Sequence, residues 1–363
     1  SALREGKLAL LFPGQGSQRP GMLAELFVAF PELHPYLRAA GAIAADVFPP
    51  AAFGDAARSA QDAAIRDTRR AQPALGLAGL AVDHVLRRLR IRPDMVAGHS
   101  YGELVALASA GVFDATTLLQ VSAARAESIL AAVGEDPGTM AAVSAAREEI
   151  EAVLDAAGLA GRVVPANQNA PRQTVISGPT DDVARAEQAL RAAGLACKRI
   201  PVACAFHSAV VAGAADAFGA ALERCELHTP HTTVWANRTA APYGDVREEL
   251  AAQIGSPVRF VDEIEAMYEA GARVFVEAGP GQVLTRLVGA ILGEREHIVV
   301  PVEPRPGAGL RGLLDAVAAL AVAGVELSTS WLFAGRDAHD VADRPVPKQP
   351  GWTVDGHLVR TSD

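Results

Sequence analysis

The chain has 363 residues, half of them hydrophobic and 21% charged, with a formal net charge of −9. That suffices for one large core carrying an inserted or appended unit and excludes disorder over most of the chain. The acidic balance argues against general nucleic-acid or anionic-membrane binding, since both favour a basic surface.

Residues 8–12 (LALLF) form a short apolar run closed by Pro13-Gly14, which predicts a buried parallel strand. Residues 68–90 carry a long helical pattern. Residues 94–98 predict a second short strand entering a turn, and residues 103–110 a helix stopped at Gly111 by a left-handed cap. Asp114 then N-caps a helix running to about Val133, with Gly134 beyond it. Alternating strands and helices of this kind indicate an α/β core.

From Gly138 the rhythm changes to strand, helix, two strands around Ala170-Pro171, helix and strand. The order β-α-β-β-α-β is that of a ferredoxin-like unit. It occupies about 138–203 and reads as an insertion, because α/β patterning resumes afterwards. Residues 273–278 (RVFVEA) predict a strand running into Gly279-Pro280-Gly281, and residues 310–323 an apolar helix. After about 334 the chain becomes polar and proline-rich (RPVPKQPGW), as a linker would be. The expected division is a discontinuous large subdomain (1–137 and 204–305), a small one (138–203), and a C-terminal helix with linker (306–363).

No run of about 18 apolar residues could span a bilayer, and no signal peptide is visible. Cys197, Cys204 and Cys225 lack paired spacing, so a reducing cytoplasmic setting is expected. Cys204 and His207 stand at C-x-x-H spacing without the two further ligands a zinc site needs, so no metal is expected. The chain starts Ser1-Ala2-Leu3 without Met and reads as a piece excised from something longer.

Gly98-His99-Ser100-Tyr101-Gly102 is a G-x-S-x-G motif between a predicted strand and a predicted helix, the context of a nucleophile elbow. A serine needs a base. Among nine histidines the first candidates are His99, whose side chain should point away from its neighbour on a tight turn, and His207, in Cys204-Ala205-Phe206-His207-Ser208. A histidine after a strand is otherwise more often structural. No acid is assignable as a third member, but a Ser–His dyad oriented by a backbone group suffices in principle. Pro13-Gly14-Gln15-Gly16-Ser17-Gln18 is a plain turn, a phosphate loop lacking the usual lysine, or a donor of backbone N–H to an oxyanion. Arg125 falls on one helix face with Leu118, Val121 and Ile129. It is either a snorkelling or ion-paired side chain, or a buried guanidinium awaiting a carboxylate.

Together these pieces resemble the malonyl-CoA:acyl-carrier-protein transacylase family and the related acyltransferase domains of polyketide synthases. The resemblance covers about 7–300 and rests on LLFPGQGSQRPGM, TRRAQPAL, GHSYGE, Arg125, the insertion, AFH and EAGPGQVLTRL in family order. It implies an α/β fold with an α/β-hydrolase-like core, a short parallel sheet and the inserted ferredoxin-like (βαββαβ) subdomain. It also implies that Ser100 carries the acyl group as an ester, that His207 is general base and then acid, and that the backbone N–H groups of Gln15 and Tyr101 form the oxyanion hole. Arg125 would bind the free carboxylate of malonyl, with Gln253, Asn167 and Asn169 lining the cleft. Malonyl-selective members have His-Ala-Phe-His before and at the histidine, methylmalonyl-selective ones Tyr-Ala-Ser-His. Phe206 fits malonyl, Cys204 departs from both patterns, and Tyr101 is a large residue at the variable elbow position.

The implied substrate is malonyl-CoA and the implied partner an acyl carrier protein, whose phosphopantetheine arm replaces any cofactor of the chain's own. Arg69, Arg70 and Arg238 are candidates for the basic patch that such an acidic partner needs. Residues 309–334 resemble the segment that follows these domains in modular or iterative synthases. That suggests flanking synthase domains and a multifunctional enzyme of antibiotic biosynthesis, with an iterative, enediyne-type parent. The rival readings are an α/β-hydrolase esterase or thioesterase using the same serine motif, and an inactive docking domain of a synthase.

Overall fold

The structure is a computed structural model that describes residues 2–338, 342, 352–354 and 359–361. In chain order its strands are β1 (Lys7–Phe12), β2 (Met95–Gly98), β3 (Thr139–Val143), β4 (Val164–Ala170), β5 (Gln173–Gly178), β6 (Cys197–Ile200), β7 (Thr233–Ala236), β8 (Ala241–Pro242), β9 (Ala272–Pro280), β10 (Ile298–Glu303), β11 (Trp352–Val354) and β12 (Val359–Thr361). The first unit spans Ser1–Leu327 and the second Ser328–Asp363.

The larger sheet has the order β10-β9-β1-β2-β7-β8. Its first five strands run parallel, and β8 closes the edge antiparallel to β7. Parallel strands need crossover connections and bury both faces, which is why residues 8–12 and 95–98 are continuous buried runs. Phe260, Ile264, Met267, Leu284, Leu287, Val288 and Ile291 cover β1, β2 and β9 on one side. The loops that matter leave the carboxyl ends of β1, β2 and β7, where open parallel sheets commonly bind ligands.

Between the helix Ala115–Ala132 and residue 204 lies the second sheet, of order β4-β5-β3-β6 and antiparallel throughout. The helices Arg147–Ala156 and Thr180–Ala192 pack on it through Ile150, Leu154, Val183 and Leu190. This is the βαββαβ order expected from the sequence. β4 leans on the larger part of the unit: Val258 N–H donates to Ala166 O at 2.7 Å, and Gln168 N–H to Val258 O at 2.9 Å. The fold is therefore mixed α/β, one mainly parallel sheet and one antiparallel sheet.

The sequence reading left 13–67 without assigned secondary structure; there the chain forms the helices Ala24–Ala29, His34–Ala40, Ala42–Val47 and Asp55–Arg66. Prolines at 31, 35, 49 and 50 break the pattern into short pieces, and Asp55–Arg66 buries only Ile65. The helix Gly309–Ala323, with which the expected C-terminal piece (306–363) begins, packs on β10 inside the first unit. A Cβ on Gly312 would lie 2.3 Å from Val302 O, so the helix presses on the strand where only glycine fits. In the second unit, Ser330–Phe333 form a 3₁₀ turn, and β11 and β12 pair antiparallel. The proline-rich linker at 344–351 lies outside the described residues.

Candidate active site

The elbow follows from its glycines. A Cβ on Gly98 would lie 1.9 Å from the Gly102 carbonyl carbon, and one on Gly102 would lie 2.0 Å from Phe12 O. Only hydrogen at both places lets β2 turn directly into the helix Gly102–Ser109 against the end of β1. Ser100, at the tip, takes φ +53°, a left-handed conformation that a serine adopts only when its surroundings hold it there. Gly14 presses its backbone on His99; a Cβ there would sit 2.4 Å from His99 O.

Ser100 Oγ lies 2.6 Å from His207 Nε2. His207 is buried and itself has φ +56°. Its Nδ1 faces two backbone carbonyls, Ser256 O at 2.9 Å and Gln253 O at 3.3 Å. Carbonyls only accept, so Nδ1 carries the hydrogen and Nε2 is left free to accept from the serine hydroxyl. Burial, then the charge of Arg125 and the proximity of His99, push the His207 pKa down to about 3. The imidazole is thus neutral and available as a base at neutral pH. His99 points elsewhere, as expected: its Nε2 bonds Asn169 Oδ1 at 2.7 Å, and its ring meets Phe260 edge-on.

Around the serine the backbone N–H groups are largely committed. Ser100 N–H donates to Asn237 Oδ1 at 2.7 Å, Gly102 N–H to His99 O at 2.9 Å, and Gly16 N–H to Gln18 Oε1 at 2.7 Å. The N–H groups of Gln15 and Tyr101 stand outside these bonds. Both residues line a cleft of about 840 Å³ with Ser100, His207, Arg125 and Phe206.

Arg125 is 2% exposed. Its Nη2 donates to Gln253 Oε1 at 2.9 Å, while Nε has no partner. Burial outweighs the pull of nearby Glu103 and brings its pKa down to about 10, so it still carries its charge at neutral pH. A buried guanidinium with donors to spare is a receptor for a carboxylate.

Asn167 and Asn169 line the cleft from β4, as expected. Phe206 also lines it, packed against Met140, Ala166 and Val175 on the small sheet. Tyr101 reaches it too, but its hydroxyl is held by Ser122 Oγ at 2.6 Å, which fixes the ring against the helices behind. One residue is placed differently from the expectation. Cys204 is wholly buried behind the cleft, its thiol pushed up to about 12 by burial. Gln253 stands beside the catalytic pair, its backbone carbonyl 3.3 Å from His207 Nδ1, and its Nε2 donates to Ser100 O at 2.7 Å and to Glu103 Oε2. Arg69, Arg70 and Arg238 lie outside the cleft, each ion-paired at the surface, with Glu127, Asp46 and Glu249.

Sequence reading missed Asn237, Glu103 and Glu263. Glu103 and Glu263 are buried carboxyls beneath the elbow, and burial raises the pKa of both, that of Glu103 to about 7. Glu263 carried a legible signal: it lies on the face shared by Phe260, Ile264 and Met267. Among the described residues no three His, Cys, Asp or Glu side chains converge on a metal-sized point, and no helix is long and apolar enough to cross a membrane.

Residues 9–326 match the acyl transferase domain family. The malonyl CoA-acyl carrier protein transacylase of Haemophilus influenzae is 34% identical over 305 residues, 81% of this chain and 95% of that protein. The polyketide biosynthesis protein ThaF of Burkholderia thailandensis is 37% identical over 294 residues, 79% of this chain but 24% of that protein. Among solved structures, the acyltransferase domain from the second module of the salinomycin polyketide synthase superposes with a TM-score of 0.81 at 31% identity, covering 91% of this chain and 76% of that one. A malonyl-transacylase in complex with its type II polyketide synthase acyl-carrier protein gives 0.77 at 30% identity, covering 86% and 99%.

Proposed function

The chain belongs to the acyl transferase domain family, and from that premise we propose that it moves a malonyl group from malonyl-CoA to the phosphopantetheine thiol of an acyl carrier protein in polyketide biosynthesis. The observation that carries this reading is the pairing of Ser100 Oγ with His207 Nε2 at 2.6 Å in a cleft that the buried Arg125 also lines. An esterase or thioesterase has no need of such a cation beside its nucleophile. An inactive docking domain has no need of a neutral, correctly tautomeric histidine.

The reaction runs in two halves. Malonyl-CoA enters with its free carboxylate on Arg125. Ser100 Oγ attacks the thioester carbonyl as His207 Nε2 takes the hydroxyl proton. The negative charge developing on the carbonyl oxygen is met by the N–H groups of Gln15 and Tyr101 and by the amino end of the helix Gly102–Ser109. Collapse breaks the carbon–sulfur bond, and the departing thiol takes the proton from His207. In the second half the carrier's thiol gives its proton to His207 and attacks the serine ester; Ser100 leaves and recovers the proton. The imidazolium formed in each half is steadied by the Ser256 and Gln253 carbonyls in place of a carboxylate. No resident cofactor is needed, since each thiol arm arrives with its substrate.

Phe206 limits the space beside the malonyl α-carbon and favours malonyl over its α-methyl homologue. Asn167 and Asn169 border the route of the thiol arm. The finer fold reading belongs with this proposal: the strand order β4-β5-β3-β6 with two helices fits a ferredoxin-like unit, and β2, elbow and helix fit an α/β-hydrolase-like core.

The test is transfer itself. Incubated with malonyl-CoA and a phosphopantetheinylated acyl carrier protein, the chain should produce malonyl-carrier faster than free malonate. Free malonate with no carrier product would favour the esterase reading, and no turnover at all the docking reading.

A further inference from the structure

Three side chains beneath the elbow take no part in the steps above, yet are fully buried: Asn237, Glu103 and Glu263. Asn237 follows β7, the strand that pairs in parallel with β2. Its carboxamide grips the backbone on the strand side of the nucleophile, from Gly98 to the Ser100 N–H, while Gln253 Nε2 holds Ser100 O on the helix side. Oδ1 accepts Ser100 N–H at 2.7 Å, while Nδ2 donates to Gly98 O at 2.6 Å and to Glu263 Oε2 at 2.7 Å. One N–H and two acceptors as partners leave the amide a single consistent orientation. The backbone N–H of Asn237 donates to Glu103 Oε1 at 2.7 Å. The other oxygen of Glu103 accepts from Gln253 Nε2, and Gln253 Oε1 accepts from Arg125 Nη2 at 2.9 Å. An unbroken path of buried hydrogen bonds therefore joins the nucleophile's backbone to the guanidinium.

We propose that Asn237 is a positioning residue for acyl transfer, holding the backbone that enters Ser100 from the strand side, and that Glu103 registers this hold against the Gln253–Arg125 pair. The left-handed φ of Ser100 is unfavourable for a serine and persists only where neighbours over-determine it; Asn237 supplies two of the bonds that do so. The next N–H along, that of Tyr101, faces the oxyanion. A turn of the elbow would misplace nucleophile and oxyanion donor together, and a displacement near 1 Å costs on the order of a hundredfold in rate. Glu103 carries the complementary duty. With its two oxygens on Asn237 and Gln253, it fixes how far Arg125 stands from the serine, and so which acyl length fits.

The inference rests on Ser100 as the acyl-carrying residue. Single-turnover acylation of the whole chain, followed by intact mass, yields both a rate constant and the fraction finally acylated. Asn237→Ala is expected to lower the rate constant about tenfold or more, equally for malonyl-CoA and acetyl-CoA, with the acylated fraction near that of the unaltered chain. A merely structural Asn237 would lower the fraction and leave the rate constant of the folded molecules unchanged, which would overturn the proposal. Should Asn237→Ala fail to fold, Asn237→Ser, whose hydroxyl keeps one polar atom in the site, is read the same way. Glu103→Gln sets an amide N–H₂ against a donor of Asn237 or Gln253. It should slow acylation and also narrow the preference for malonyl over acetyl; an unchanged preference would remove Glu103 from the mechanism. No adduct on Ser100 of the unaltered chain would refute the acyl-serine reading itself, a result distinct from an adduct that forms at an unaltered rate in the Asn237 variants.

Discussion

Arg125→Ala separates carboxylate recognition from a structural role. Malonyl-CoA and acetyl-CoA differ at the acyl end by one carboxylate. In the structure Arg125 is 2% exposed, bonds Gln253 through one nitrogen, and leaves Nε without a partner. A hydrogen bond to a charged group contributes about 1.5–3 kcal/mol. At about 1.4 kcal/mol per tenfold, losing one such bond should cut malonyl transfer about ten- to a hundredfold, and losing a bidentate pair by more. Acetyl transfer should fall far less or rise, because the vacated space no longer holds an unpaired charge. The substitution also strips Gln253 Oε1 of its donor, which costs about 1–3 kcal/mol of stability, so the comparison belongs below a melting transition measured for the variant. The assay is direct competition between malonyl-CoA and acetyl-CoA, with the acyl-enzymes resolved by mass. An unchanged product ratio would mean that Arg125 is structural and that the carboxylate is bound elsewhere.

Further outcomes follow from the same geometry. Phe206→Ser should raise methylmalonyl loading relative to malonyl, partially: burying one methyl group contributes about 0.8 kcal/mol, or roughly fourfold, and an unaltered ratio in competition would show that Phe206 does not gate the pocket. The pH profile of acylation should reflect a histidine held neutral. Because burial, Arg125 and His99 lower the His207 pKa toward about 3, the base stays competent as pH falls below the ordinary histidine value of about 6.5, and the acid limb should lie well beneath it. The same shift makes His207 a source of stability that is complete above about 6.5 and lost as pH falls toward its folded pKa. Single-turnover rates on protein shown to be folded at each pH would contradict this if they halved near 6.5.

What the sequence carried and what it hid divide along one physical line. The elbow was legible because its glycines are required within five consecutive residues, where a Cβ on Gly98 or Gly102 would strike backbone. Arg125 was legible because a charge stood on an apolar helical stripe with Leu118, Val121 and Ile129. The βαββαβ insertion was legible because its helices and strands alternate locally. Asn237 had no such signature: its partner Ser100 lies 137 residues away, and it is a single polar residue after a short strand. Gln253 was legible from resemblance alone; its service to Ser100, Glu103 and Arg125 at once depends on contacts more than a hundred residues apart. Cys204 was weighed as a specificity position through its spacing to His207; the chain instead buries it completely, outside the cleft lining. The ion pairs of Arg69, Arg70 and Arg238 were likewise hidden, because Glu127, Asp46 and Glu249 are brought near them only in space.

The central claim is that Ser100 carries the acyl group. Mixing the chain with malonyl-CoA, quenching, and mapping the adduct by peptide mass gives the direct measurement. One malonyl group should appear on the peptide containing Ser100, disappear in Ser100→Ala without loss of the folded state, and discharge when a phosphopantetheinylated carrier protein is added. A malonyl adduct that persists in Ser100→Ala, or that maps to another residue in the unaltered chain, would contradict it.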